Sequence, residues 1–174
     1  MTHIQPAEYS DASNAVKEQF DDQIKKNGYI TNMKRTLLHS LPAFHALMEW
    51  YPLRDSVLKF IGDKGVNVFC HAISSQNSCL ICSTFFRKIL IDAGEDPDNL
   101  VLSEKEKILV DYGQRCVTDA SKIDGELFFK LHNFFNNEQI VILTAFAGLM
   151  IATNLINNAL QIDLDEYLES YARR

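Results

Sequence analysis

Two cysteines, Cys79 and Cys82, lie three positions apart in the segment NSCLICSTFF and are the residues of this sequence best suited to do chemistry. A cysteine reacts and binds metals as the thiolate, so its reactivity depends on what lowers the pKa of the thiol. Asn77 or Ser78 is a good helix N-cap, and the residues that follow are helical in character. We therefore expect both thiols in the first turn of a helix, where free N–H groups and the helix dipole favour negative charge.

Three roles are open to this cysteine pair. The spacing puts both sulfurs on one helix face, close enough to form a disulfide after a rotamer change. A zinc site needs more ligands, but Cys70 and Cys116 form no second pair, and His71 is the candidate third ligand. The pair is otherwise two small, inert residues in a core. Arg87 and Lys88 add positive charge nearby unless they point to solvent. The position at a helix start favours the redox role.

The composition limits the class of protein. The chain has 174 residues, of which 47% are apolar and 23% charged, and this predicts one globular domain over 1–174. The net charge of −6, without a basic run, argues against a nucleic-acid partner. Four cysteines suit a reducing compartment, and the N-terminus lacks the pattern of a signal peptide, so a cytoplasmic location is expected. The apolar run 140–152 is shorter than the roughly 20 residues of a membrane span, and no membrane partner is expected.

Helical patterns extend along almost the whole chain. Alternating apolar and polar runs are missing, and only 7 glycines and 4 prolines interrupt the sequence, which predicts an all-α domain. The predicted helices cover about 11–26, a segment opened by Ser40-Leu41-Pro42, then 54–61, 65–77, 79–93, 104–118 and 124–133, a long helix that Asn136-x-x-Gln139 opens and that runs to about Ala159, and a tail over 163–172.

The run 140–152 carries apolar side chains on nearly every face of its helix. Two interpretations follow: the helix is buried at the centre of the fold, or it also associates with another subunit.

The stretch GVNVFCHAISSQNSCLICSTFFRKILIDAG resembles the core of the carboxymuconolactone decarboxylase / alkylhydroperoxidase D superfamily. The segments GYITNMKRTLLHSLPAFHALMEWY, LSEKEKILVDYG and NNEQIVILTAFAGLMIATNLINNALQIDLDEY are similar to flanking helices of its peroxidase-related branch, so the resemblance covers about 28–168. It implies a single-domain helical bundle of the alkylhydroperoxidase D-like type that assembles as a homo-oligomer, a trimer or hexamer.

The resemblance also assigns roles in the site. It implies a redox-active pair in which Cys82 attacks and Cys79 resolves. The family's proton relay has a Glu twelve residues before the first cysteine and a His four residues after the second, and these positions hold Asn67 and Phe86. Neither side chain transfers a proton as the family residue does. His71 lies four residues after Asn67, on the same helix face, and is the candidate replacement base.

The sequence thus predicts an antioxidant thiol–disulfide oxidoreductase that reduces a peroxide or a partner disulfide, takes electrons from a protein reductant, and needs no metal or other cofactor. Phe86 is expected to make the site drier, and this desolvation raises the thiol pKa in opposition to the helix dipole, so weak or specialised reactivity is expected rather than fast peroxidase turnover. The alternative is a catalytically degenerate oligomeric scaffold or a redox sensor. A decarboxylase ranks last, because that branch of the family characteristically lacks the cysteine pair.

Overall fold

Helices joined by short loops make up the computed structural model, which describes residues 2–173 and contains no strand within them. The predicted all-α class is therefore confirmed. The helices are α1 (Asn14–Asn27), α2 (Asn32–Leu37), α3 (Leu41–Met48), α4 (Trp50–Gln76), α5 (Leu80–Asp92), α6 (Glu104–Asp119), α7 (Gly125–His132) and α8 (Asn137–Ala159), with short 3₁₀ turns at Ala120–Lys122 and Glu166–Tyr171.

Local capping signals fix most helix ends. Ser103 and Asn136 form complete capping boxes at the starts of α6 and α8, as their spacing predicts. Ser40 caps α3 ahead of the proline in its first turn. Gly28 closes α1 with φ 78°, a left-handed conformation that a residue with a side chain adopts only at a cost.

The helix α4 joins two segments that the sequence predicts as separate helices. Gly62, with φ 72° and ψ 173°, lies between them and breaks the helical conformation. The predicted break is thus present, and α4 consists of two helical segments on either side of a kink at Gly62.

The short helix α2 is not predicted by the sequence pattern. It has only six residues, capped by the Thr31 side chain, and so offers fewer than two turns in which a periodic pattern can appear.

The main core lies between α4, α5, α6 and α8. Phe69 from α4 and Phe146 from α8 are fully buried, and their rings stack with centroids 6.2 Å apart. The outer face of α8 leaves Val141 67% and Leu155 62% exposed. By length and composition α8 resembles a membrane span, but its inward face belongs to this core. Burial at the centre therefore accounts for only one face of the helix.

A second, smaller hydrophobic cluster joins α1, α2 and α3 through Phe20, Leu37, Leu38 and Phe44. Met33 and Ile156 pack against both clusters. The N-terminal helices are thereby held against the main core, and they contribute one wall of the cavity described below.

Candidate functional site

A tight turn between α4 and α5 positions the two cysteines. Asn77 is the C-cap of α4, and Ser78 takes the left-handed conformation with φ 52°. The backbone N–H of Cys79 then donates to the Ser74 carbonyl over 2.9 Å. The prediction that Asn77 or Ser78 caps α5 was wrong, because both residues are used to end α4, and Cys79 is itself the N-cap residue.

Both sulfurs meet one amide from the distant helix α8. Cys79 and Cys82 are reduced and almost fully buried, with 1% and 6% of their surface exposed. The Asn157 Nδ2 group lies 3.1 Å from the Cys82 Sγ and 3.7 Å from the Cys79 Sγ, so one donor serves both sulfurs. Its hydrogen bonds favour a thiolate on either cysteine.

The two thiols have opposite pKa shifts. The hydrogen bond from the Cys82 thiol lowers the pKa of Cys79 to about 7, and the backbone N–H groups of Cys82 and Ile81 and the Asn157 amide act in the same direction against burial. The pKa of Cys82 is raised, first by its hydrogen bond to Cys79 and then by burial. The pair therefore loses its first proton from Cys79 and keeps the second on Cys82.

A cavity of about 240 Å³ reaches Cys82 but not Cys79. Its wall near the sulfur includes the aromatic side chains of Trp50, Phe85 and Phe86. Phe86 is 3% exposed and lies with its ring centroid 6.3 Å from that of Trp50. The relay position that holds Phe86 thus contributes an apolar surface beside the thiol, where charge is poorly solvated.

Three buried polar atoms of the cavity wall have no hydrogen-bond partner within residues 2–173. They are Trp50 Nε1, Asn157 Oδ1 and the Tyr167 hydroxyl. Buried polar groups are almost always paired in folded proteins, so unpaired ones concentrated in one cavity indicate a place for a ligand.

His71 lies on the other side of the cysteine turn. It lines a polar depression of about 260 Å³ together with Ser78, Arg87 and Arg173, and this depression contains neither sulfur. In the described part of the chain no hydrogen bond joins His71 to a cysteine. Burial lowers the pKa of His71, and the positive charges of Arg173 and Arg87 lower it further, so the neutral imidazole is favoured. Its role as the base stays a prediction.

Asn67, the other substituted relay position, is half-buried on α4 and lines neither the cavity nor the depression. The basic residues after the cysteines are also turned away. Arg87 pairs with Asp98 over 2.6 Å and Lys88 pairs with Asp92, both at the surface. The positive charges predicted near the thiols are therefore paired with carboxylates at the surface.

The remaining cysteines are isolated from the pair. Cys70 is fully buried in the core, and burial raises the pKa of its thiol well above the ordinary value. Cys116 is half-buried, and burial raises its pKa too. Across residues 2–173 no three His, Cys, Asp or Glu side chains come together as a set of metal ligands, so His71 does not complete a site with the pair.

Sequence reasoning missed Asn157 as a site residue. One signal was available: Asn154 and Asn157 interrupt the apolar helix α8 three positions apart, and both are buried. A polar residue on the buried face of an apolar helix needs a partner, which marks it as a candidate for a polar site. The sequence does not show that its partner is the cysteine pair.

Comparison with known proteins rests on structure. The sequence matches no protein-family model and no curated protein. The debrominase Bmp8 superposes with a TM-score of 0.79 at 17% identity, covering 98% of this chain and 96% of that one. An uncharacterised peroxidase-related protein with an alkylhydroperoxidase D core, from Ralstonia eutropha JMP134, gives 0.77 at 16% identity, covering 96% and 94%.

A protein of unknown function from Agrobacterium tumefaciens, a putative antioxidant defence protein of the alkylhydroperoxidase D type, gives a TM-score of 0.64 at 20% identity and covers 73% of this chain and 93% of that one. The chain thus has the fold of the carboxymuconolactone decarboxylase / alkylhydroperoxidase D superfamily, and the resemblance predicted from the sequence is confirmed at that level. Because a debrominase and peroxidase-related proteins share this fold, the fold alone does not select the reaction.

Proposed function

We propose that the protein is a thiol–disulfide oxidoreductase in which Cys82 and Cys79 cycle between dithiol and disulfide while a peroxide or a partner disulfide is reduced. One observation carries the proposal: two buried thiols share the Asn157 amide, with a pKa of about 7 on Cys79 and with Cys82 in the wall of a cavity. Inert core cysteines need neither the shared donor nor the access.

Because the pKa of Cys79 is lower than that of Cys82, the Cys79 thiolate is the base that replaces the missing relay. Cys82 faces the cavity and is the attacking residue that the family resemblance implies, but its own pKa is raised. Cys79, hydrogen-bonded to it, holds the first thiolate. As Cys82 attacks, its proton moves to the Cys79 sulfur, so the resolving cysteine does the work that the absent Glu and His do elsewhere.

The atoms balance over two steps. The Cys82 sulfur attacks the terminal oxygen of a hydroperoxide, the O–O bond breaks, and the alkoxide leaves and takes the proton held by Cys79. The Cys79 thiolate then attacks the Cys82 sulfenic acid and displaces hydroxide, which forms the disulfide. In sum, one thiol, one thiolate and one hydroperoxide give one disulfide, one alcohol and one hydroxide.

A dithiol reductant must then restore the thiols by disulfide exchange, and we propose that a protein supplies it in a reducing cytoplasm.

We further propose that a second copy of the chain covers the exposed outer face of α8, in a trimer or hexamer. Sedimentation analysis tests this assembly, and a monomer at micromolar concentration would exclude it.

Peptide mapping tests the redox proposal directly. Reduced protein is treated with one equivalent of cumene hydroperoxide, and the thiols are then alkylated and identified by mass spectrometry. We expect a Cys79–Cys82 disulfide while Cys70 and Cys116 stay reduced. Slow, unselective oxidation of all four cysteines would favour the scaffold, and a single disulfide without sustained turnover would favour a redox sensor.

A second candidate is reductive dehalogenation of an aromatic ring. The cavity beside Cys82 has aromatic walls and is larger than hydrogen peroxide requires, and a cysteine-to-alanine variant of the debrominase Bmp8 has been solved with 2,3,4-tribromopyrrole. Two thiols and one aryl bromide would give the disulfide, the arene and hydrogen bromide. Bromide release from 2,3,4-tribromopyrrole by reduced protein, in step with disulfide formation, would establish this reaction. Its absence would leave the peroxide reaction as the proposal.

A further inference from the structure

A buried lysine forms part of the cavity that contains Cys82. Lys34 is only 7% exposed and lines this cavity. Its Nζ donates to the Gln23 Oε1 over 2.6 Å and lies 4.9 Å from the centre of the Tyr51 ring. Both contacts are with neutral groups. An ammonium carries three donors, and these contacts satisfy it only in part.

No carboxylate within residues 2–173 forms an ion pair with Lys34. The acidic residue of the cavity wall is Asp165, whose Oδ1 instead accepts the backbone N–H of Asn32 over 2.8 Å at the start of α2. A buried cation without an anionic partner is costly, and lysines are rarely buried unless paired. Lys34 therefore lies in the cavity wall without a direct carboxylate partner among the described residues, in a wall that also contains Asp165.

The rest of the wall is predominantly apolar. Trp50, Phe85, Phe86 and Met150 surround the space near Cys82, and the unpaired Trp50 Nε1 adds a neutral donor. A ligand that fits such a wall presents a flat apolar body and one anionic group.

We propose that this cavity binds a small aromatic acid, whose carboxylate pairs with Lys34 while its ring lies among the aromatic side chains near Cys82. The inference gives the class of ligand that this cavity binds, and it rests on the proposed function only for the further step that a hydroperoxide derivative of such an acid is the substrate. Lys34 is thus a specificity-determining residue that discriminates an acid from its neutral analogue.

Trp50 makes the binding measurable, because it is the single tryptophan of the chain and lines the cavity. The probes are 4-bromobenzoate and 4-bromobenzamide, which share a ring and a heavy-atom quencher and differ in charge. Tryptophan fluorescence is titrated with each probe, in reduced protein at neutral pH. We expect the carboxylate to bind about tenfold or more tightly than the amide, as a charge-assisted hydrogen bond in a buried site allows. Equal affinities, or no quenching by either probe, would overturn the proposal.

Three lysine variants locate the effect. Lys34→Met is expected to lose the preference for the carboxylate over the amide, whereas Lys34→Arg keeps the preference. Lys107→Met, at an exposed position paired with Glu104, is the matched control and should behave as the unmodified protein. A preference that survives in Lys34→Met would overturn the assignment. If that variant fails to fold, the comparison of the two probes in unmodified protein still decides.

Failure of the binding proposal is distinguishable from failure of the oxidoreductase proposal. The titration needs no reaction and is repeated in Cys82→Ser. Probe selectivity without any Cys79–Cys82 disulfide under peroxide would leave an aromatic-acid binding site and remove the redox function. Disulfide formation without probe selectivity would do the reverse.

Discussion

The two faces of the turn that carries the cysteines differ in every property relevant to catalysis. On one face, Cys82 opens into an aromatic cavity with unpaired polar atoms and a buried lysine. On the other face, His71 lies in a polar depression with two arginines that are already paired to Asp98. The depression contains the histidine but neither sulfur, and the cavity contains Cys82 but no histidine.

In the proposed mechanism the thiol pair supplies its own proton acceptor, and its environment differs from that of the other two cysteines. Cys70 is fully buried and Cys116 is half-buried, and at each of them burial is the largest influence and raises the pKa of the thiol. In the pair, the thiol–thiol hydrogen bond and the Asn157 amide outweigh burial at Cys79. The charge state therefore depends on the partners of a buried thiol more than on its depth.

The largest expected effect separates the pair from the isolated cysteines. Cys82→Ser removes the sulfur that faces the cavity, so we expect no disulfide and no catalytic peroxide consumption. Cys70→Ser is the matched control, which should keep both. Peroxide consumption measured with an excess of dithiothreitol, together with peptide mapping, checks this. Full activity in Cys82→Ser would show that the cavity face is not where the reaction occurs.

The pH dependence of thiolate formation sharpens the comparison between the pair and the isolated cysteines. The depressed pKa of Cys79 means that its thiolate is present above about pH 7 and is lost below it, by about tenfold for each further pH unit. Because Cys79 is buried and the cavity does not reach it, the thiolate is followed by its ultraviolet absorbance rather than by alkylation. The unmodified protein and Cys70→Ser should both show a midpoint near pH 7, whereas Cys79→Ser should lack it. A midpoint near pH 7 that persists in Cys79→Ser would contradict this.

Loss of the shared amide should weaken the site without removing it. Asn157→Leu keeps the approximate volume but deletes the donor to both sulfurs, so the pKa of Cys79 should rise and oxidation at pH 7 should slow by about tenfold. Asn158→Leu is the control, because its amide donates to the Asn77 carbonyl at the surface. Equal rates in the two variants would remove Asn157 from the site.

A relay residue restored on the cavity face should have a moderate effect. Phe86→His replaces an apolar ring of the cavity wall with an imidazole at the position of the family's relay histidine, and we expect a lower pKa of Cys82 and faster reaction with peroxide. Stopped-flow oxidation of the reduced variant measures it. An unchanged rate in a folded variant would show that this position does not limit proton transfer.

The smallest effect is expected on the opposite face. If Cys79 is the proton acceptor, His71→Ala should leave the oxidation rate nearly unchanged, because within residues 2–173 His71 forms no hydrogen bond with either sulfur and lines a depression that contains neither. A large, pH-dependent loss of rate would support His71 as the base, and size-exclusion chromatography controls for loss of fold.

The sequence by itself determined most of the helices and the position of the cysteine pair. Capping boxes at Ser103 and Asn136, and the turn residues around Gly28 and Gly62, act over a few residues and are readable without the fold. The spacing of Cys79 and Cys82 is also a feature of a few neighbouring residues and can be read without the fold. The charge on each sulfur depends first on the hydrogen bond between the two thiols and then in part on an amide 75 residues away in sequence from Cys82, which only the fold brings close.

Only the tertiary structure decided which side chains share a space with the thiols. Packing of α8 against α4 and α5 brings Asn157 to the sulfurs, and the N-terminal helices bring Lys34 into the same cavity. His71 is close to the cysteines in sequence, yet the helix α4 turns it to the opposite face. The spacing of residues along the chain determines which face of a single helix each side chain occupies. Contacts between helices depend instead on how their apolar faces pack.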